Sequence, residues 1–143
     1  MRILIDTNVV IDWLTHREPF HEDAEYIMAE CMTGNIEGNF TAHMLPDLFY
    51  ILRKDFSVKE RKTLLLLLCD YFQIISEDKR LITKVLEDEC FDDLEDGLQI
   101  RCASEQGLDY IITHSGLSDI HDTRAASRGV YRTLRGGAIR AMI

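Results

Sequence analysis

Apolar and polar positions alternate between two periods along this chain. Arg2–Ile5 is a short apolar run that ends on Asp6, which predicts a buried strand. Asp6, Thr7 and Asn8 supply side-chain oxygens able to cap a helix carried by Val9–Leu14. A second helix is expected from Pro19, suited to a first turn, to about Met32, because Ala24, Ile27, Met28 and Cys31 recur at helical spacing. Thr33-Gly34-Asn35 closes it, and Glu37–Ala42 reads as a strand. His43–Lys54 carries Pro46 in its first turn and an apolar stripe of Leu45, Leu48, Phe49 and Leu52. Ser57 with Glu60 three residues on forms a capping box for a helix ending near Asp70. Phe72–Ser76 is a strand, Asp78–Glu89 a helix, Asp93–Gln106 a helix closed by Gly107, and Tyr110–Thr113 a last short strand.

Strands that alternate with helical crossovers predict an α/β layered fold around a parallel sheet. In such sheets the ligand crevice opens at the carboxyl ends of the strands. That places Asp6 at the crevice. Asp47 stands in the first turn of its helix within an otherwise apolar stretch, and a third group of acids, Asp92-Asp93-Leu94-Glu95-Asp96, opens the helix that ends at Gln106. Asp93 and Asp96, three apart, share one helical face. Each acid also has a structural reading, because carboxylates are favoured at helix N-termini.

Length and composition narrow the chemistry. A chain of 143 residues predicts one domain with a self-sufficient core, and the scarcity of Gly (8) and Pro (2) excludes collagen-like and low-complexity chains. The longest apolar run, Leu64–Cys69, is far short of a membrane span, and the N-terminus meets an acid too early for a signal peptide. A cytoplasmic location with no membrane partner is expected. The Leu64–Leu68 face is expected in the chain's own core, with homodimerisation as its alternative use. The net charge of −9 disfavours a nucleic-acid-binding surface over the whole molecule. From Ser115 onward, however, five Arg face two Asp, so the tail is basic and the preceding residues carry −12. Cys31, Cys69, Cys90 and Cys102 lack metal-binding spacing and read as reduced, mostly core thiols. His16, His21, His43, His114 and His121 show no HxH or HExxH spacing and read as surface or packing residues. Trp13 and the tyrosines read as core rather than as a base-stacking platform. There is no GxGxxG or Walker lysine motif. Several carboxylates at one crevice, without a nitrogen or sulfur pattern, suit a hard divalent cation and metal-assisted phosphodiester hydrolysis.

The stretches Ile3–Asp12, Met44–Lys54, Asp93–Gln99 with Ala103, and Asp109–Thr113 together resemble the PIN domain family, and within it the VapC toxins. The resemblance implies a three-layer fold with a central parallel sheet of four to five strands flanked by helices. It implies a Mg²⁺- or Mn²⁺-dependent endoribonuclease that cuts single-stranded RNA, and a small antitoxin protein as partner. Carried over by position, Asp6, Asp47, Asp93 and Asp96 are catalytic. Asp6, Asp93 and Asp96 bind the metal, and Asn8, Thr113 and Ser115 support the site. Ser115 departs from the family, which has an acid or amide there; Asp119 takes that role if the loop is one residue longer. The PIN-like domain is expected over residues 1–121. Residues 122–143 are expected as a divergent basic tail packed on or beside it: a natural extension, an RNA-contacting arm or a stretch of non-native origin. Two other function classes remain open: a catalytically degenerate RNA- or protein-binding module, and phosphotransfer through Asp6. The last ordinarily has a second acid two residues on, where Asn8 stands.

Overall fold

In the computed structural model, which describes residues 1–113, 120–122 and 133–134, the chain alternates strands and helices from its first residues. The order is β1 (Arg2–Ile5), α1 (Thr7–Thr15), α2 (His21–Met32), β2 (Glu37–Thr41) and α3 (Met44–Ile51) with a 3-10 turn Leu52–Lys54. Then follow α4 (Val58–Tyr71), β3 (Gln73–Ile75), α5 (Lys79–Leu86), α6 (Leu94–Glu105), β4 (Tyr110–Ile112), β5 (Ile120–Asp122) and β6 (Thr133–Leu134).

The sheet order is β3-β2-β1-β4-β5-β6. The first four strands in that order pair in parallel, as expected. β5 and β6 continue the sheet in antiparallel fashion, within a stretch for which the sequence pattern predicts no elements. Ser115, Asp119 and the side chains of residues 122–143 lie outside the described residues.

The period-2 alternation of the strands builds two cores. Ile3, Ile5, Phe40 and Ile112 face one side and pack against α1–α4 through Val9, Val10, Ile27, Met28, Leu48 and Leu68. Leu4, Ile75 and Ile111 face the other and pack against α5 and α6 through Leu81, Val85, Leu98, Cys102 and Ala103. The sheet between two helical layers is the three-layer architecture. Successive crossovers run from β1 outward to β3 over one face. The chain then returns over the other face to β4, on the far side of β1. The strand order therefore reverses between β1 and β4, and such a reversal opens a crevice at the strands' carboxyl ends.

The helix starts follow local chemistry. Ser57 Oγ accepts from the Glu60 backbone N–H at 3.3 Å while Glu60 Oε2 accepts from that of Ser57 at 2.7 Å, the expected capping box. Asp78 and Asp93 cap α5 and α6 by accepting from the backbones of Leu81 (2.8 Å) and Asp96 (3.0 Å). Gly107 takes φ +64° just past α6, a conformation that favours glycine. Pro19 falls in the turn before α2, which starts at His21 rather than at the proline.

Three expectations need correction. Cys31 and Cys102 are buried, but Cys69 and Cys90 are exposed free thiols, so only half the cysteines are core. The Leu64–Leu68 face is not fully internal. Leu68 is buried while Leu66 is 66% exposed, because only one stripe of α4 meets the core. Trp13, Tyr26 and Tyr110 pack against the core, whereas Tyr50 and Tyr71 are exposed. Among the described residues no helix is long and apolar enough to cross a membrane.

Candidate active site

Asp6 leaves β1 at the point where the strand order reverses. Its backbone N–H donates to Ile112 O at 2.9 Å, which ties it to the end of β4. The residue occupies the N-cap position of α1 but its side chain makes no capping hydrogen bond. The expected capping role therefore does not account for this carboxylate. Oδ1 accepts instead from Gln99 Nε2 at 3.1 Å, and Oδ2 from Asn8 Nδ2 at 3.4 Å. Asp6 is 9% exposed. The adjacent Thr7 hydroxyl is buried with no hydrogen-bond partner. A buried carboxylate carries a large desolvation cost unless a cation or several donors meet it. Two amide donors, one of them long, meet that need only in part.

Gln99 lies one turn beyond Glu95 in α6, so its amide bridges two acids. Nε2 stands 3.1 Å from Asp6 Oδ1 and 3.4 Å from Glu95 Oε1. A nitrogen of His43 and one oxygen each of Asp47 and Glu95 all lie within 4.8 Å of one another. His43 follows β2, and Asp47 is one helical turn on. Arg61 holds α3 from behind: it donates to Phe49 O at 2.5 Å and covers the Phe49 ring at 4.3 Å.

The electrostatics follow from this convergence. Burial pushes the Glu95 carboxyl above the usual range, and the negative charges of Asp6, Asp47 and Asp93 push it further, with His43 acting against them. Glu95 thus senses the other members of the cluster through space. The His43 ring is itself fixed. Nδ1 hydrogen-bonds Glu77, whose second oxygen accepts the His43 backbone N–H at 3.0 Å. Glu77 comes from the carboxyl end of β3, and its side chain is only 7% exposed.

The structure brings Asp6 and Asp47 to the same crevice and sets Asn8 against Asp6. Asp93 spends a carboxylate oxygen on the cap of α6. Asp96 is exposed in the first turn of α6, with its backbone N–H taken by Asp93. Thr113 follows β4, half-buried. Sequence reasoning did not single out Gln99, His43 or Glu77, which the structure brings to this crevice, and named Glu95 only as a member of the acidic run. The pairs His43/Asp47 and Glu95/Gln99 are both four apart, which puts each on one helical face and was the available signal. His43, expected as a surface or packing residue, is half-buried and stands beside Asp47 and Glu95. Two amides poised on Asp6, a cluster of unlike ligand types and a destabilised carboxylate together form an environment suited to a divalent cation.

The family model of the PIN domain matches residues 2–115. Solved structures similar in fold include the following two. VapC20 of Mycobacterium tuberculosis, a sarcin–ricin-loop-cleaving toxin, superposes with a TM-score of 0.66 at 14% identity, over 93% of this chain and 98% of that one. VapBC2 of Rickettsia felis, bound to a DNA fragment from the promoter, gives 0.53 at 16% identity, over 79% of this chain and 87% of that one. No protein of curated function matches the chain in sequence.

Proposed function

The chain belongs to the PIN domain family, and from that premise we propose that it is a metal-dependent endoribonuclease cutting single-stranded RNA, the toxin of a toxin–antitoxin pair. The observation that carries the reading is the bridge of Gln99 between Asp6 and Glu95, beside Asp47, at the carboxyl end of the sheet. The similar folds of VapC20, a sarcin–ricin-loop-cleaving toxin, and of a VapBC2 chain support it. By the same reading, a small antitoxin protein is the partner.

The donor set fits a divalent cation, Mg²⁺ or Mn²⁺. Asp6, Asp47 and the carboxylates of the α6 first turn, Asp93, Glu95 and Asp96, would hold it. When bound, such an ion neutralises phosphate oxygens and lowers the pKa of a bound water. The chain's own residues prepare the place. Gln99 and Asn8 fix the Asp6 carboxylate. Gln99 also ties α6 to β1, so two carboxylates from opposite ends of the sequence keep one orientation. Burial and the neighbouring acids raise the Glu95 carboxyl, so cation binding there is coupled to loss of its proton. The local negative field excludes RNA until a cation offsets it, and the five Arg after Ser115 supply charge for phosphate contact.

The test is incubation of the purified protein with end-labelled single-stranded RNA. Cleavage products are expected with Mn²⁺ or Mg²⁺ and none with EDTA. Binding of RNA without cleavage under every metal condition would replace this reading with a degenerate binding module.

A further inference from the structure

We propose that His43 is a nitrogen ligand of this cation site, and that the site consequently prefers Mn²⁺ to Mg²⁺. The inference rests on the reading of the crevice as a cation site, and adds a ligand and a selectivity to it.

The argument starts from the ring. Glu77 grips His43 at two points, Nδ1 and the backbone N–H, from a nearly buried position. A carboxylate acceptor at Nδ1 keeps the proton there, which leaves the lone pair on Nε2. Nε2 stands 3.5 Å from the Thr41 hydroxyl, at the outer limit of a hydrogen bond. A carboxylate behind an imidazole is the arrangement that orients metal-binding histidines and raises their basicity.

The spacing fits as well. Cation–ligand bonds of ~2.1 Å place opposite ligand atoms ~4.2 Å apart. Adjacent ligands of an octahedral ion stand closer, at ~3.0 Å, so the three side chains, with a His43 nitrogen and the Asp47 and Glu95 oxygens within 4.8 Å of one another, need to draw in by up to ~2 Å, a movement that side-chain torsions supply. An alternative exists: His43 and Glu77 form a plain ion pair that joins the ends of β2 and β3. That role does not require Asp47 and Glu95 to converge on the same ring. Mg²⁺ is held by oxygen ligands, whereas a nitrogen ligand favours first-row transition metals, and Mn²⁺ is the member of that series that also suits carboxylates.

The experiment is calorimetric titration of the full chain with Mn²⁺ and, separately, Mg²⁺, for the wild type, His43→Gln and Glu77→Gln. The wild type is expected to bind Mn²⁺ about tenfold tighter or more. His43→Gln should bring Mn²⁺ affinity down toward that for Mg²⁺ while changing the latter little. Glu77→Gln should weaken Mn²⁺ binding by about 10- to 100-fold. A second measurement uses the unmodified protein and so does not depend on the variants folding. Substoichiometric Mn²⁺ should broaden the His43 imidazole resonances in NMR ahead of those of His16 and His21. Equal affinity for the two ions, or His43 resonances no more affected than the other two, would overturn the proposal. Metal binding of the expected pattern without RNA cleavage would leave it standing and overturn the nuclease reading. Cleavage by a protein whose metal binding ignores His43 would do the reverse.

Discussion

Substituting Gly97 tests how α6, and with it the site, is positioned. Gly97 is buried in α6, against α5 and the turn that follows it. A Cβ added there would lie 2.5 Å from Val85 Cγ1 and 3.2 and 3.3 Å from Phe91 Cγ and Cβ. Carbon atoms pack best at ~3.5–4.0 Å, so the Val85 contact is about 1 Å too short. Val85 is 3% exposed and β-branched within a helix, which leaves it one favoured rotamer and nowhere to turn. Overpacking of this kind costs ~1–3 kcal/mol, and a contact so short belongs in the upper half of that range. The gain in helix propensity from Gly to Ala offsets ~1 kcal/mol. Gly97→Ala should therefore destabilise by about 1–2 kcal/mol, a fall in Tm of roughly 3–6 °C. Urea unfolding of Gly97→Ala, Val85→Ala and the double variant measures this. The double variant should lose at least about 0.5 kcal/mol less than the sum, because Val85→Ala makes room for the new methyl. A Gly97→Ala protein as stable as the wild type, or strict additivity, would refute the packing argument. The displacement should also loosen cation binding, since Glu95 and Gln99 ride on the same helix.

Further consequences concern charge and thiols. Glu95 has a raised folded pKa, so native stability without cation falls as pH rises through the window from its ordinary value to its folded one. Glu95→Gln should remove that fall, giving higher thermal stability at pH 7 in EDTA but weaker Mn²⁺ binding by calorimetry. Glu105 is the opposite case. Hydrogen bonding to Arg80 leads the causes that hold its carboxyl down to about 2, with Lys84 assisting. Its contribution is present above the ordinary carboxylate range and is lost as pH falls toward 2, so the urea midpoints of wild type and Glu105→Gln should converge on acidification. Burial pushes the Cys31 and Cys102 thiols up to about 12. Iodoacetamide at pH 8 should label exposed Cys69 first, then Cys90, whose pKa Asp88 raises, and reach the two buried thiols only on unfolding, as peptide mass spectrometry would show.

Much of the fold was legible because the relevant signals are local. The Ile3-Leu4-Ile5 run, the Ser57/Glu60 box, the caps Asp78 and Asp93 and the closing Gly107 each act within a few residues. β5 and β6 were not legible, since Ile120-His121-Asp122 and Thr133-Leu134 carry no consecutive apolar residues, unlike the equally short β3 and β4 with Ile74-Ile75 and Ile111-Ile112. In the site, Asp6 and Asp47 stood out as acids next to apolar runs. Glu95 did not, because it and Asp96 differ by one position, about 100° around a helix, and only packing decides which faces Asp6. Gln99 read as a helix residue until its partner, 93 positions away, was known. His43 and Glu77 are 34 residues apart, and it is the parallel pairing of β2 with β3 that brings them together. Asp6 illustrates the opposite limit. Sequence alone fits it to a cap, whereas the structure turns its carboxylate to Gln99 and Asn8.

The most direct measurement is cleavage of labelled single-stranded RNA by wild type and Asp6→Asn side by side, with Mn²⁺ and with EDTA. Circular dichroism and Tm are recorded on the same preparations. The account predicts cleavage by the wild type with Mn²⁺ alone, and a loss of at least about 100-fold in Asp6→Asn with the fold intact. Cleavage by folded Asp6→Asn at the wild-type rate, or wild-type cleavage undiminished in EDTA, would contradict it.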